Sequence, residues 1–305
     1  MKINRPIFRI IGFLIIFSIF FAYTTQVFTR KWGYQAQTTI FYQQPEDSID
    51  VLFLGASGFD WGVSPLILWE EIGVTSYDRA IGATTSSMIY YYFLESLKYQ
   101  NPDIVVLDAY HLVRYWNIND NEPSYRRSFE PLNFSFIKLK ALFEISKNSD
   151  LETFISLLFP FFRYHSRWSE LSKNDFMKTD SPEDQIFKGQ FIGFEKHEID
   201  YSDDFMAETN EVKGIREESR YYYEKIIEIC NEKDIEVVLM SMPRLATADY
   251  AEYNAVKKYS EENNLIFIDY NLPELMNAVD FNSEKDMIDS GHINTCGAQK
   301  FSFHF

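Results

Sequence analysis

The sequence predicts an α/β protein: a three-layer sandwich around a five-stranded parallel sheet, with an N-terminal transmembrane helix and a mostly helical insertion. Three observations predict it. Apolar runs at 51–54, 104–108, 235–241 and 265–269 are continuous rather than alternating, as strands covered on both faces require. The first of these opens a strand, helix, strand, helix, strand rhythm over about 60 residues, the pattern of right-handed βαβ units. Ahead of it all, residues 10–23 are almost uniformly apolar.

That apolar run comes after Lys2, Arg5 and Arg9, and the uncharged stretch continues to Phe28 before Arg30 and Lys31. Roughly 19 residues at 1.5 Å each span about 28 Å, close to the hydrocarbon thickness of a bilayer. Nothing amphipathic interrupts the run, which disfavours a buried soluble helix. Ala22-Tyr23-Thr24-Thr25-Gln26 lacks a small-x-small cleavage site, which favours a retained anchor over a cleaved signal peptide. The basic cluster in front holds the N-terminus in the cytoplasm and exports the chain beyond Lys31. Residues 1–32 are therefore read as cytoplasmic stub and anchor, and 33–48, Gln-rich with Pro45, as a polar tether. Residues 49–305 form the α/β domain.

Within that domain the first strand ends at Leu54, and 65–71 has the pattern of a short helix. A second strand is expected over 76–81, ending in Gly82, and a tyrosine-rich helix over 84–99. The third strand, 104–108, is announced by Asn101-Pro102. From about 112 to 210 the alternation breaks. Helical segments such as 136–145 and 151–159 mix with aromatic and charged residues, so this insertion is expected to cap the sheet rather than extend it. The α/β pattern resumes with a helix over 214–232, a strand over 235–241, a helix over 249–263 capped by Asp249, a fifth strand over 265–269 and a short helix over 272–276. A final helix starts near Thr295.

Composition excludes some functions. With 45 Asp and Glu against 29 Lys and Arg, the net charge of −16 argues against nucleic acid, whose phosphates need clustered cations. It leaves polysaccharide and lipid-linked substrates open. The 20 Tyr and 28 Phe suggest an aromatic-lined surface or cleft. Cys230 and Cys296 lack metal-ligand spacing and read as unpaired core residues rather than a disulfide. The histidines, His111, His165, His197, His292 and His304, are scattered, so no metal and no cofactor is expected. Gly55-Ala56-Ser57-Gly58 is too short to cradle a pyrophosphate, which argues against a dinucleotide binder.

The chemistry gathers at the carboxyl ends of the strands, where open α/β sheets bind ligands. Glycines flank Ser57 just beyond the first strand, lifting its hydroxyl above the sheet. A serine nucleophile needs a base, and the base an orienting acid. Asp289 and His292, three apart in a glycine-containing loop before the last helix, can supply both. Asp108-Ala109-Tyr110-His111 is a competing pair after the third strand, and these two residues are kept as candidate substrate contacts. Arg167 and Trp168, in the polar-aromatic cluster 164–171, are candidates for a substrate wall, with structural anchoring as the competing reading.

Taken together these residues resemble the SGNH/GDSL hydrolase superfamily, in particular its membrane-anchored bacterial branch linked to cell-surface polysaccharide acylation. There is a more distant similarity to the D-alanine transfer protein of teichoic-acid systems. Gly55-Ala56-Ser57 resembles the nucleophile block, Ala80-Ile81-Gly82 the second block, and Asp289-Ser290-Gly291-His292 with Asn294 and Gly297 the terminal block. The resemblance covers roughly 47–305 and implies a flavodoxin-like sheet. It implies Ser57, His292 and Asp289 as nucleophile, base and acid, with the amides of Ser57 and Gly82 as oxyanion donors. The third block, G-x-N-D, is absent: the strand ends Val106-Leu107-Asp108, and no asparagine donor stands there. Either other donors, Thr84 or the insertion, complete the hole, or activity is weak or lost.

The expected activity is that of an extracytoplasmic serine esterase or O-acyltransferase on acyl groups, acetyl first, of cell-surface polysaccharide. The expected partners are the membrane, the acyl-ester substrate and a membrane-bound O-acyltransferase. The alternative is a non-catalytic glycan-binding or scaffolding component with the same fold.

Overall fold

The computed structural model describes residues 5–31, 33–114, 122–147, 150–177, 186–196, 199 and 204–305; Lys2 and His197 lie outside them. Helix α1 (Arg5–Phe28) carries its large apolar side chains outward as far as Phe20, and Tyr23 with them, while Phe21 is half-buried. Its span Pro6–Phe28 is long and apolar enough to cross a membrane, and none of its most apolar window is buried in the protein. A core helix of a soluble domain would show the opposite.

Residues expected to form a polar tether instead make helix α2 (Gly33–Gln43), packed into the domain. Tyr34, Ile40 and Phe41 are buried there, and the Arg79 guanidinium lies 4.3 Å from the Phe41 ring centre. Composition misleads here because the polar residues are buried with partners: the Gln37 amide donates to the carbonyls of Ala80 and Gly189.

Five strands, β1 (Val51–Leu54), β2 (Ser76–Asp78), β3 (Ile104–Asp108), β4 (Glu236–Ser241) and β5 (Ile266–Asp269), form one parallel sheet in the order β2-β1-β3-β4-β5. The uninterrupted apolar runs result from burial on both faces. Leu52, Leu54, Val105, Leu107, Val237 and Leu239 point into one core, while Val51, Phe53, Val106, Val238 and Met240 point into the other. The chain runs outward from β1 to β2, then back past β1 to β3. The switch point, where such sheets bind ligands, therefore lies above β1 and β3.

Helices α3 (Ser57–Gly62), α4 (Pro65–Ile72) and α5 (Ser86–Ser96) connect the first strands. After β3 the insertion contributes α6 (Tyr110–Val113), α7 (Glu122–Phe129), α8 (Phe136–Ser146), α9 (Leu151–Leu158) and α10 (Phe161–Tyr164), then 3-10 turns at His165–Ser169 and Lys173–Phe176. Among its described residues it adds no strand to the sheet; α8 packs on α5 and α10 on α1. Helix α11 (Glu217–Glu232) leads to β4, and α12 (Tyr250–Glu262) to β5. Helices α13 (Pro273–Ala278) and α14 (Ser283–Asp286), the hairpin β6 (Met287–Asp289) and β7 (His292–Ile293), and α15 (Thr295–His304) close the domain. Asp249 caps α12 as expected, accepting the Glu252 N–H. Many aromatics are core rather than cleft: Tyr77, Tyr91, Tyr223, Tyr259, Phe53 and Phe129 are fully buried. Cys230 and Cys296 are unpaired.

Candidate active site

Ser57 is the first residue of α3, lifted beyond the end of β1 by Gly55 and Ala56. Gly55 is required by crowding: a Cβ there would lie 2.4 Å from the Asp108 Cβ. The β6–β7 hairpin brings the terminal loop over the same point. The Ser57 hydroxyl lies 2.7 Å from His292 Nε2, and His292 Nδ1 lies 2.9 Å from both Asp289 carboxylate oxygens. With Nδ1 protonated toward Asp289, Nε2 is left to accept the serine proton, the arrangement of a nucleophile, a base and an orienting acid.

The hairpin is itself held. The Gly291 N–H donates to Asp289 Oδ1 at 2.8 Å, and the Asn294 side chain caps α15 by accepting the Gly297 N–H. Burial alone would raise the Asp289 carboxyl, but the Gly291 amide and His292 outweigh it and hold the group below the usual carboxylate range. The side chains of Asp289 and His292 are 55% and 28% exposed, so the site opens directly to solvent.

The donors meant for an oxyanion are arranged differently from expectation. The amide of Ser57, in the first turn of α3, has no acceptor within that helix. Gly82 does lie beside the nucleophile: a Cβ on it would come 3.6 Å from the Ser57 Cβ. Its N–H, however, donates to the Tyr34 hydroxyl at 2.7 Å, and that hydroxyl donates to Asp60 Oδ2 at 2.7 Å. Burial pushes the Asp60 carboxyl up to about 7, against the hydrogen bond it accepts from Tyr34. Thr84 is buried and its hydroxyl points at Met88 Sδ, so it is no replacement donor.

The other candidates are engaged in contacts within the protein. Asp108 and His111 are buried, 1% and 2% exposed, and present no surface to a ligand. Asp108 instead fixes the turn, accepting the Ala56 N–H on Oδ2 and the Tyr110 N–H on Oδ1, each at 3.2 Å. Burial lowers the His111 imidazole to about 4, against the pull of Asp108 and aided by Arg244. Arg167 is tied to the end of α1: it pairs with Asp175 at 3.2 Å and donates to the Phe28 carbonyl at 2.5 Å. Trp168 shares that turn at the end of α1 and is 73% exposed.

Three neighbours of the nucleophile escaped the sequence reading: Tyr34, Asp60 and Arg244. Arg244 stands just past β4, reaches across the end of β3 and lies against the nucleophile turn, its Nη2 2.9 Å from where a Cβ on Gly58 would stand. Its guanidinium stacks 3.6 Å from the Tyr110 ring centre, with Asp108 Oδ2 3.7 Å away. No acceptor among the described residues lies within hydrogen-bond distance of that guanidinium. Its position just past a strand's carboxyl end was the available signal.

No protein-family model matches the chain, and no curated protein matches it. Among solved structures the chain is similar to a candidate acylhydrolase from Bacteroides fragilis at 14% identity, with 90% of this chain and 94% of that one covered and a TM-score of 0.39. It is also similar to a GDSL-like lipase from Bacteroides thetaiotaomicron, at 12% identity over 88% and 93% of the two chains and a TM-score of 0.38. A gut microbial diltiazem-metabolizing enzyme is similar at 13% identity, over 86% of this chain and 47% of that one, with a TM-score of 0.29. Likenesses this distant assign no activity to the chain.

Proposed function

We propose that the protein is a serine esterase or O-acyltransferase of the SGNH/GDSL type, held on the outer side of the membrane by α1 and acting on acyl esters of cell-surface polysaccharide. The observation that carries this reading is the unbroken chain from the Ser57 hydroxyl through His292 to Asp289. Ser57 Oγ attacks the ester carbonyl while His292 Nε2 takes its proton, and Asp289 steadies the imidazolium. Collapse of the tetrahedral intermediate breaks the ester C–O bond. His292 returns the proton to the departing alcohol, leaving the acyl group on Ser57. Attack by water then makes an esterase, and attack by a sugar hydroxyl makes an O-acyltransferase.

The developing oxyanion is received by the Ser57 amide together with Arg244. That guanidinium stands over the end of β3, where the family carries its asparagine, with Nη2 close to Gly58 and 3.7 Å from Asp108 Oδ2, beyond hydrogen-bond distance. A preorganised donor of this kind is worth on the order of a hundredfold or more in rate. The solvent-open triad suits a polymer that is approached side-on.

Ser57→Ala assayed on a chromogenic acetyl ester tests the reading: activity should fall to background, and wild-type rates would remove Ser57 from the nucleophile role. The occupied Gly82 amide favours a second reading, a non-catalytic glycan-binding component. Covalent labelling of Ser57 by a fluorophosphonate probe separates the two.

A further inference from the structure

We infer that the corner between α9 and α10 sits in the outer acyl and headgroup region of the bilayer, as a second membrane contact beside α1. The inference rests on α1 spanning that bilayer. Twenty uncharged residues, 10–29, separate Arg9 from Arg30. At 1.5 Å each they cover about 30 Å, the thickness of the hydrocarbon core, which puts the two arginines at its two surfaces.

Phe21 then lies well inside, about 13 Å short of Arg30 along the helix axis. Yet the Phe21 ring meets Phe159, Phe161 and Phe162 of the insertion at centroid distances of 6.0, 5.5 and 6.2 Å. Residues that touch α1 at that depth lie below the plane of Arg30. The packing is not confined to one pair: Phe161 also meets Phe28 at 5.6 Å.

The surface of the corner fits such a position. Leu151, Ile155, Phe159 and Phe162 are 70%, 36%, 39% and 53% exposed, while Ser156 of the same segment is buried. With Leu157 buried on the other side, the helix is apolar on its exposed and its buried face alike, as one that meets an apolar medium on both sides would be. Toward Arg30, α10 presents exposed Arg163 and the turn after it exposed Trp168, the side chains that membrane interfaces favour, and Arg167 ties that turn to the end of α1. An interfacial segment of this kind buries its apolar face about 5–10 Å into the boundary. A protein partner could cover an apolar stripe, but the depth of the Phe21 contacts favours lipid as the occupant.

The test uses the full chain in nanodiscs of mixed phosphatidylcholine and phosphatidylglycerol. Cys296→Ser removes the accessible thiol and buried Cys230 stays. An environment-sensitive fluorophore is attached at Phe162→Cys, at Ile155→Cys as a second site, and at Lys258→Cys on α12 as the control. The expected result is blue-shifted emission at 155 and 162, roughly halved by lipids carrying a nitroxide on the upper acyl chain, with the control unaffected. Water-like emission at both sites overturns the inference. So does a blue shift that the nitroxide lipids do not quench, which means protein cover. Extraction of the chain by alkaline carbonate is a different failure, that of the anchor itself, and is read separately before labelling.

Discussion

The backbone N–H of Gly82 donates to the hydroxyl of Tyr34 at 2.7 Å, so the amide beside the candidate nucleophile is already bonded inside the protein. Tyr34 comes from α2, the next helix after α1, so the segment that follows the N-terminal helix reaches the immediate surroundings of Ser57. Tyr34→Phe removes that acceptor and also takes the hydroxyl donor away from buried Asp60. The variant should lose roughly 1–3 kcal/mol of stability while kcat/KM on an acetyl ester does not fall. A large loss of rate in a folded variant would show that the hydroxyl builds the oxyanion site instead of occupying it.

Asp60 should make stability depend on pH with a definite sign. Its carboxyl is about 7 in the fold against 3.8 unperturbed, so the folded chain binds more protons between those values. The stability gained by keeping Asp60 neutral is complete below 3.8 and is lost as pH rises through about 7. Asp60→Asn keeps an acceptor for Tyr34 and removes the titration. Denaturant melts should therefore show the variant gaining on the wild type as pH rises, by roughly 1–3 kcal/mol at the alkaline end. Buried His111 pulls the other way, losing stability as pH falls from 6.5 to about 4. It is present in both proteins and cancels in the difference. A gap that stays flat with pH would refute the assignment to Asp60.

Arg244→Ala should lower kcat on the order of a hundredfold and leave KM nearly unchanged, because an oxyanion donor acts on the transition state. Arg244→Lys should recover little, since an ammonium lacks the planar fork of donors stacked on Tyr110. Added guanidinium salt at low concentration should partly restore the alanine variant. A rise in KM with kcat preserved would instead make Arg244 a binding residue for substrate.

Asp289→Asn should cut kcat on the order of ten-thousandfold, since an amide favours the wrong imidazole tautomer. Its thermal melt should scarcely move, because the side chain is more than half exposed. The depressed Asp289 carboxyl also means that the stability its charged form contributes is present above its unperturbed value and is lost only as pH falls through the lower folded value. Comparable rates for variant and wild type would remove the aspartate from the triad.

Much of this architecture is legible in the chain because its signals are local. Continuous apolar runs mark β1, β3 and β4, since a strand buried on both faces has no polar positions to show. Asp249 marks the start of α12 because a cap acts within one turn. The serine with its flanking glycines, and the aspartate and histidine three apart, were readable for the same reason: each half of the site is a short segment with its own geometry.

What joins the halves is not local. Ser57 and His292 are 235 positions apart and meet only because β1 and the terminal hairpin converge over one end of the sheet. Packing also decided against Asp108 and His111 as substrate contacts, by burying them, and moved Arg167 to the end of α1. The Gln-rich composition of α2 concealed Tyr34, because polar residues that find partners can be buried as firmly as apolar ones. The sequence by itself determined the strands of the sheet, most of the helices and the reactive groups, which depend on neighbours along the chain. Which donors surround the serine, and which aromatic residues lie at the depth of Phe21, was decided by the tertiary structure alone, because those contacts depend on the distance between segments that the chain keeps far apart.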